Sequence, residues 1–261
     1  MRCKMAYKVL IVGAHHEEIE AECPNIAAAL ALAGCEVIIL NPIGGWNWTA
    51  IRDLGPNGRE RTIEDATNAG KALGCRKVIW DFPVAAANRY AGEIMDKMAE
   101  FVLDFNPDIV LMHWPKDEHT DHRLVAKITR HVLHTAPNLV EKRYPEYHGP
   151  YEVYAFQTGL TQQYHFIPDF VVKCDERTMG MAKKCVDCFI PTMPGGAKSW
   201  EKNFRLKAAY WGKYSGTEAA EALKFMGPSL PMDGFLLKKI LGDRIVPTNF
   251  ELYYYNSALE I

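Results

Sequence analysis

Two short segments hold five of the nine histidines of this chain, and both also carry carboxylates. The first segment, residues 14–20, reads AHHEEIE, and the second segment, residues 113–122, reads HWPKDEHTDH. Imidazole and carboxylate groups at such short spacings suit a divalent ion such as zinc or iron. A metal ion can activate water and a nearby carboxylate can move the proton, so the two segments predict a metal-dependent hydrolase.

Each segment follows a short apolar run that is typical of a buried strand. Residues 8–13 read KVLIVG and residues 108–113 read DIVLMH. Compact runs of this kind predict parallel strands that are covered on both faces. Because ligands bind at the carboxyl ends of the strands in open α/β sheets, we expect both segments to close one site.

The order of the predicted elements indicates an α/β fold. Four strands and four helices alternate over residues 8–134, which predicts a mostly parallel sheet with helices on both faces. We therefore expect a Rossmann-like three-layer sandwich that forms one domain over residues 1–261. The strands are predicted at 8–13, 36–40, 77–81 and 108–113, and the helices at 24–33, 62–73, 91–105 and 120–134.

The last third of the chain is less regular. Its patterns indicate strands at 152–157 and 170–174 and helices at 175–189, 199–213 and 217–225. Two stretches rich in proline, 135–151 and 191–198, are predicted to be loops. The sequence TIED at residues 62–65 resembles a capping box at the start of the second helix.

Composition excludes some partners and favours others. The formal net charge is −2, so the chain lacks the excess of basic residues that would predict binding to nucleic acid or to an anionic membrane. We therefore expect a small-molecule substrate. We also expect a cytoplasmic protein, because neither a signal-peptide core nor a long apolar span is present in the sequence. The seven scattered cysteines are read as reduced thiols. Cys185 and Cys188 form a CxxC without a second pair, and we interpret them as ordinary helix residues.

The two segments resemble the paired motifs of the PIG-L/LmbE family of metal-dependent N-deacetylases. The family motif AHPDDxE after the first strand is similar to AHHEEIE at residues 14–20, and the later motif HPDH is similar to HTDH at residues 119–122. Arg61 and Glu64 look like the family's Arg-x-x-Glu helix, and residues 205–222 look like its C-terminal Arg…Gly…Gly…Ala-Glu-Ala pattern. The resemblance covers most of the chain and is weakest between residues 135 and 200.

The resemblance implies a metal site and a reaction. His15, Glu18 and His122 would bind one divalent ion. We expect Zn²⁺ first, with Fe²⁺ or Mn²⁺ as alternatives. The implied reaction removes the N-acetyl or another N-acyl group from an amino sugar or its conjugate. Because members of the family often form homo-oligomers, the resemblance also suggests a homo-oligomer.

The resemblance further implies roles for the remaining polar residues. Glu17 would be the general base and then the general acid, and His119 would stabilise the oxyanion. Asp121 would orient a neighbouring histidine. Arg61 would bind hydroxyl groups of the substrate.

The chain departs from the family at three positions of the first motif. The two family aspartates are Glu17 and Glu18 here, and each is one methylene longer. The family proline is His16, which adds a candidate fourth ligand, and His113 can be read as a core residue or as an outer contact of the site. Because of these changes, a metal hydrolase that acts on a non-sugar amide or on another C–N bond is an alternative function.

A non-catalytic Rossmann-like binding protein is a further alternative. Against it, the first strand is followed by Gly13, Ala14 and His15 and not by the Gly-x-Gly-x-x-Gly loop that cradles phosphates.

Overall fold

A single sheet joins strands from both halves of the chain. The structure, a computed structural model, describes residues 6–140, 144–159, 165–228 and 234–248. Its strands are β1 (Lys8–Val12), β2 (Glu36–Ile43), β3 (Arg76–Phe82), β4 (Ile109–His113), β5 (Glu152–Phe156), β6 (Phe170–Lys173), β7 (Ala220–Gly227) and β8 (Ile245–Pro247). They lie in the order β3-β2-β1-β4-β5-β7-β6-β8. The first five strands pair in parallel with one another, and β7, β6 and β8 extend the sheet from β5 by antiparallel pairing.

Helices connect the strands and cover the sheet. They are α1 (Glu18–Glu22), α2 (Pro24–Leu32), α3 (Thr49–Arg52), α4 (Gly58–Ala72), α5 (Ala91–Phe105), α6 (Thr120–Leu139), α7 (Glu176–Asp187), α8 (Pro194–Ser215) and α9 (Leu236–Leu241). None of the helices in the described ranges is long and apolar enough to span a lipid bilayer.

The alternation of side chains along β1 explains why both faces of the sheet are covered. Val9 and Ile11 pack into one core cluster with residues of α2. Leu10 and Val12 point to the other face and pack into a second cluster with residues of α5 and α6. The predicted α/β class with a mostly parallel sheet is therefore confirmed, whereas the single domain over residues 1–261 stays a prediction.

The predicted helix at residues 217–225 is wrong. Residues 220–225 of this stretch belong to β7, which pairs antiparallel with β5 and with β6. Its residues Ala220, Glu221, Ala222 and Leu223 are all buried. Good helix formers dominate the segment, but a segment buried between two strands must satisfy its backbone in a sheet ladder, and this tertiary requirement overrides the weak helix preference.

Three predicted boundaries also differ. The stretch 191–198 is not all loop, because α8 starts at Pro194, and proline is tolerated in a first helical turn. Residues 62–65 are not a cap, since α4 already starts at Gly58 and the Thr62 hydroxyl donates to the Gly58 carbonyl at 2.8 Å. The predicted loop 135–151 begins later, because α6 continues to Leu139. Residues 141–143 of the predicted loop lie outside the described residues.

Candidate active site

The structure brings the two histidine segments together at the carboxyl ends of β1 and β4. These strands are neighbours, with Val12 opposite Met112. The chain leaves β1 through Gly13, where a Cβ would lie 2.7 Å from Asn41 Nδ2. Asn41 Nδ2 in turn donates to the His15 carbonyl at 2.5 Å. Glycine permits this close approach, and the Asn41 hydrogen bond holds the start of the first segment against β2.

Glu18 is the most highly connected side chain of the site. Its Oε2 accepts hydrogen bonds from the backbone N–H of Ala14 at 2.6 Å and of His15 at 3.0 Å, and lies 2.6 Å from His113 Nε2. Its Oε1 lies 2.7 Å from His15 Nδ1 and also contacts His122 Nε2. Burial raises the pKa of this carboxyl, but the facing imidazoles outweigh burial and hold its pKa well below the usual range. Glu18 is therefore a fixed carboxylate.

A second carboxylate stands behind each of the two histidines that face Glu18 Oε1. His15 Nε2 lies 3.1 Å from Asp121 Oδ2, which also accepts from the Ala85 backbone N–H at 2.8 Å. His122 Nδ1 lies 3.1 Å from Asp117 Oδ1. Metal-binding histidines commonly have such a carboxylate on the nitrogen that does not face the ion, because it fixes the tautomer and the ring orientation.

The charges of this cluster suit a divalent ion. Burial opposes a charge on His122, but Glu18 and Asp117 outweigh it and raise the pKa of His122 to about 9. The pKa of His15 is also raised well above its usual value, against burial, chiefly by Glu18. Two imidazole protons thus neutralise the carboxylates without a metal, and one divalent cation can replace both charges. The residues therefore fit a metal ion.

Two overlapping sets of three groups have ligand atoms that lie within 4.8 Å of one another. They share His122, and the other members are His15 with His119 and Glu18 with His113. The implied ligands His15, Glu18 and His122 are drawn from both sets, and their atoms meet at Glu18 Oε1. Their assignment as ligands stays a prediction.

A cavity of about 290 Å³ opens beside this cluster. Glu17 and His119 both line it. The lining residues are His15, His16, Glu17, Glu18, Ala21, Glu22, Gly45, Trp48, Val84, His119, His122, Thr158 and Trp200.

The Glu17 carboxyl is loosely held, in contrast to that of its neighbour. Its Oε2 has no hydrogen-bond partner among the described residues and lies 3.3 Å from His16 Nδ1. Burial raises the pKa of Glu17, which His15 lowers only in part. A carboxyl group with a raised pKa at a cavity can both accept and return a proton near neutral pH, as a general base and acid must.

His119 is held as a donor toward the cavity. It caps the start of α6, where its Nδ1 accepts a hydrogen bond from the Asp121 backbone N–H at 3.2 Å. Burial lowers the pKa of His119, and the charges of His122 and His15 lower it further. The neutral ring with Nδ1 accepting carries its proton on Nε2, so Nε2 is available to a substrate oxygen.

His16 and His113, whose roles the sequence left open, are both buried in the site. His16 stacks on Trp46 with ring centroids 5.7 Å apart, and burial lowers its pKa to about 3, so the ring is neutral. His113 stacks on His122 at 4.3 Å and contacts Glu18. Both imidazoles therefore belong to the site and not to the hydrophobic core alone.

Arg61 is not brought to the cavity. It lies on α4, and its Nη2 donates to the Pro191 carbonyl at 3.3 Å. Because α4 starts at Gly58, Arg61 lies within the helix and not immediately before it. In the described part of the chain, Arg61 is absent from the cavity lining.

Sequence reasoning missed two polar residues of the lining. Thr158 follows β5, and the same rule that selected the carboxyl ends of β1 and β4 points to it. Glu22 ends α1, accepts from the Gly159 backbone N–H at 2.8 Å and pairs with Lys207 of α8. No short motif marks this last contact, because its partners lie far apart in the chain.

Comparisons with known proteins bear on the family and on the fold. Residues 10–133 match the family model PIG-L, described as GlcNAc-PI de-N-acetylase. No curated protein matches the chain. The match agrees with the predicted resemblance to the PIG-L/LmbE family over residues 10–133.

Solved structures show the same fold. The 4-carboxy-2-hydroxymuconate hydratase GalB of Pseudomonas putida KT2440 is 18% identical, with 86% of this chain and 98% of that chain covered and a TM-score of 0.69. The N,N'-diacetylchitobiose deacetylase of Pyrococcus horikoshii is 17% identical, with 85% of each chain covered and a TM-score of 0.65. The zinc-inhibited form of the teicoplanin deacetylase Orf2 is 11% identical, with 85% of this chain and 100% of that chain covered and a TM-score of 0.63. At these identities the likeness concerns the fold alone.

Proposed function

Because the chain is PIG-L/LmbE-like, we propose that it is a metal-dependent hydrolase that removes an N-acetyl or other N-acyl group from an amino sugar or its conjugate. The products are a carboxylate, acetate in the simplest case, and a free amine. The observation that carries the proposal is the pairing of a tightly held His–Glu–His cluster with a carboxyl group and an imidazole, Glu17 and His119, that line one cavity.

His15, Glu18 and His122 are the proposed ligands. Zn²⁺ is the ion we propose first, because two imidazoles and one carboxylate form a usual catalytic zinc set, and Fe²⁺ and Mn²⁺ are the alternatives. When bound, such an ion supplies Lewis-acid chemistry that makes water more acidic and the amide carbonyl more electrophilic. Asp121 and Asp117 hold the outer nitrogens of the two histidines and orient their rings.

Glu17 is the proposed general base and acid. Its carboxylate takes a proton from the attacking water while the water oxygen bonds to the acyl carbon. When the C–N bond breaks, the same carboxyl returns the proton to the departing amine nitrogen. The burial that raises the pKa of Glu17 brings proton acceptance and proton return closer in free energy.

His119 is the proposed donor to the developing oxyanion. The side chain lines the cavity, and its Nδ1 accepts from the Asp121 backbone N–H, which leaves Nε2–H as the donor. A donor that is already oriented loses no reorganisation energy when charge develops on the carbonyl oxygen. The substrate-binding role of Arg61 stays a prediction, because its side chain contacts the Pro191 carbonyl and is not among the residues that line the cavity.

The cavity also supports a sugar-like substrate. Trp48 and Trp200 are both in its lining and offer apolar ring faces, and the Glu22 carboxylate adds oxygens that can accept from substrate hydroxyls. A hydrolase of a non-sugar amide is the alternative, since the same proton chemistry serves any linear amide. The homo-oligomer suggested by the resemblance stays a prediction.

The test measures bound metal and released carboxylate on one purified sample. Metal-loaded protein is offered N-acetylglucosamine, N,N'-diacetylchitobiose and a panel of non-sugar N-acetyl amides. We expect about one divalent ion per chain, with acetate released from sugar amides faster than from the others. His122→Ala should lose both metal and activity, and His131→Ala, on an exposed turn of the same helix, should keep both. A fully metal-loaded and active His122→Ala variant would contradict the proposal, and activity only on non-sugar amides would overturn the substrate class.

A further inference from the structure

His113 is a buried imidazole that the proposed reaction does not use. It ends β4, is fully shielded from solvent, and places Nε2 at 2.6 Å from Glu18 Oε2. Its other ring nitrogen, Nδ1, lies 3.1 Å from Thr158 Oγ1. Thr158 is itself buried and follows β5. A line of polar contacts thus runs from Glu18 through His113 to the neighbouring strand end.

The direction of these hydrogen bonds follows from the groups present. Glu18 is an acceptor when ionised, so His113 Nε2 must carry the proton to bond with it. His113 Nδ1 is then an acceptor, and the Thr158 hydroxyl can donate to it. The Ala14 N–H points at both His113 Nε2, at 2.9 Å, and Glu18 Oε2, at 2.6 Å, and the shorter hydrogen bond is the one to the carboxylate.

This contact addresses a problem specific to this chain. Glu18 has one more rotatable bond than the aspartate that the family resemblance places there, so its carboxylate needs more restraint to present one oxygen in a fixed place. Oε1 faces His15 and His122, whereas Oε2 is bound by two backbone N–H groups and by His113. The His113 ring also stacks on His122 with an interplanar angle of 12°.

We propose that His113, oriented by Thr158, is a positioning residue that fixes the Glu18 carboxylate so that Oε1 stays toward the metal-binding histidines. The inference rests on the proposed function, because it takes Glu18 as a ligand. His113 and Thr158 act through Glu18 and touch no substrate atom in this role. Their loss should therefore weaken metal binding before it changes anything else, and such outer partners are typically worth about 10- to 100-fold in metal affinity.

The test is the Zn²⁺ dissociation constant of the purified chain, measured by competition with a chromophoric chelator. His113→Phe keeps the ring stack on His122 but removes the donor, whereas His113→Gln keeps a donor near the position of Nε2. We expect His113→Phe to weaken Zn²⁺ binding by about 10- to 100-fold and His113→Gln to restore most of it. Thr158→Val should weaken binding by a smaller factor, and Thr158→Ser, which keeps the hydroxyl, should not.

The paired variants keep the inference falsifiable. Thermal unfolding of each metal-free variant shows whether it folds, and if His113→Phe does not, the Val and Ser variants at Thr158 decide. Wild-type Zn²⁺ affinity in both His113→Phe and Thr158→Val would overturn the inference while leaving the proposed function intact. Equal losses in the conservative and non-conservative variants would also overturn it, since they indicate a merely structural role. A wild-type chain that binds no divalent metal would overturn the proposed function and this inference together.

Discussion

Glu17 and Glu18 are adjacent in the chain, yet their surroundings are opposite. Both oxygens of Glu18 are held by backbone N–H groups and imidazoles, and its pKa is lowered. Glu17 has an oxygen without a hydrogen-bond partner in the described part of the chain, faces the cavity, and has a raised pKa. These surroundings suit Glu18 to remain ionised and fixed in position, and they suit Glu17 to exchange a proton.

The contrast extends to two groups of residues. The metal cluster is His15, Glu18 and His122, with bound and buried donor atoms. The cavity pair is Glu17 and His119, which line the same cavity as the metal cluster but are not among the three proposed ligands. Changes in the metal cluster should remove metal and activity together, whereas changes in the cavity pair should remove activity and leave metal in place.

Replacing Glu18 should have the largest effect. Glu18→Ala removes a proposed ligand and leaves three imidazoles without their shared carboxylate. We expect loss of bound metal and a fall in kcat/KM of about 10³-fold or more, because Lewis-acid catalysis is worth several kcal/mol. Metal analysis and acetate release check this, with the exposed Glu93→Ala as the matched control. Full metal occupancy in Glu18→Ala would break the comparison.

His119→Ala should have the next largest effect. It removes one donor to the oxyanion, so kcat should fall by about 10²- to 10³-fold while bound metal and KM change little. His119→Gln keeps a donor and should recover part of the rate. Because His119 also belongs to one of the two sets of metal-ligating groups, loss of metal in His119→Ala would move it into the metal cluster.

Metal affinity should rise with pH. In the metal-free protein Glu18 and Asp117 hold the pKa of His122 at about 9 against burial, so a metal ion must displace a proton below that pH. Affinity should increase by about tenfold per pH unit for each displaced proton and level off as pH passes the raised pKa. Chelator competition from neutral to alkaline pH measures it. A flat profile would show that the histidines of the cluster are neutral without metal.

Activity should fall as the medium becomes acidic. Glu17 must be ionised to accept a proton from water, and burial raises its pKa. The acid limb of kcat/KM should therefore lie above the usual titration range of a glutamate, since the fraction of carboxylate declines as pH falls through the raised pKa. Rate profiles on metal-loaded protein provide the measurement, and a limb at or below the normal glutamate range would contradict the account.

Arg61→Ala should have the smallest effect. The side chain contacts the Pro191 carbonyl and is absent from the cavity lining in the described part of the chain. We expect kcat and KM within about twofold of wild type, as is usual for surface changes away from a site. A large increase in KM would restore the substrate-binding role that the family resemblance implied.

Local patterns predicted the regular part of the molecule and failed where distant contacts decide. Continuous β-branched runs predicted β1 and β4, and the rule for strand ends joined the two segments at one edge. The helix-forming sequence of β7 gave no sign that it inserts between β5 and β6. The partners of Glu18 were equally hidden, because His113 lies 95 residues away and its role depends on strand order.

The most direct test of the central contrast is Glu17→Gln, with metal content and acetate release measured on the same sample. Glutamine keeps the size and hydrogen-bonding capacity of the side chain but cannot accept the proton of water. The account predicts wild-type metal content and a fall in kcat of about 10²- to 10⁴-fold. Loss of metal with the rate, or retention of both, would contradict the division of labour between the two glutamates.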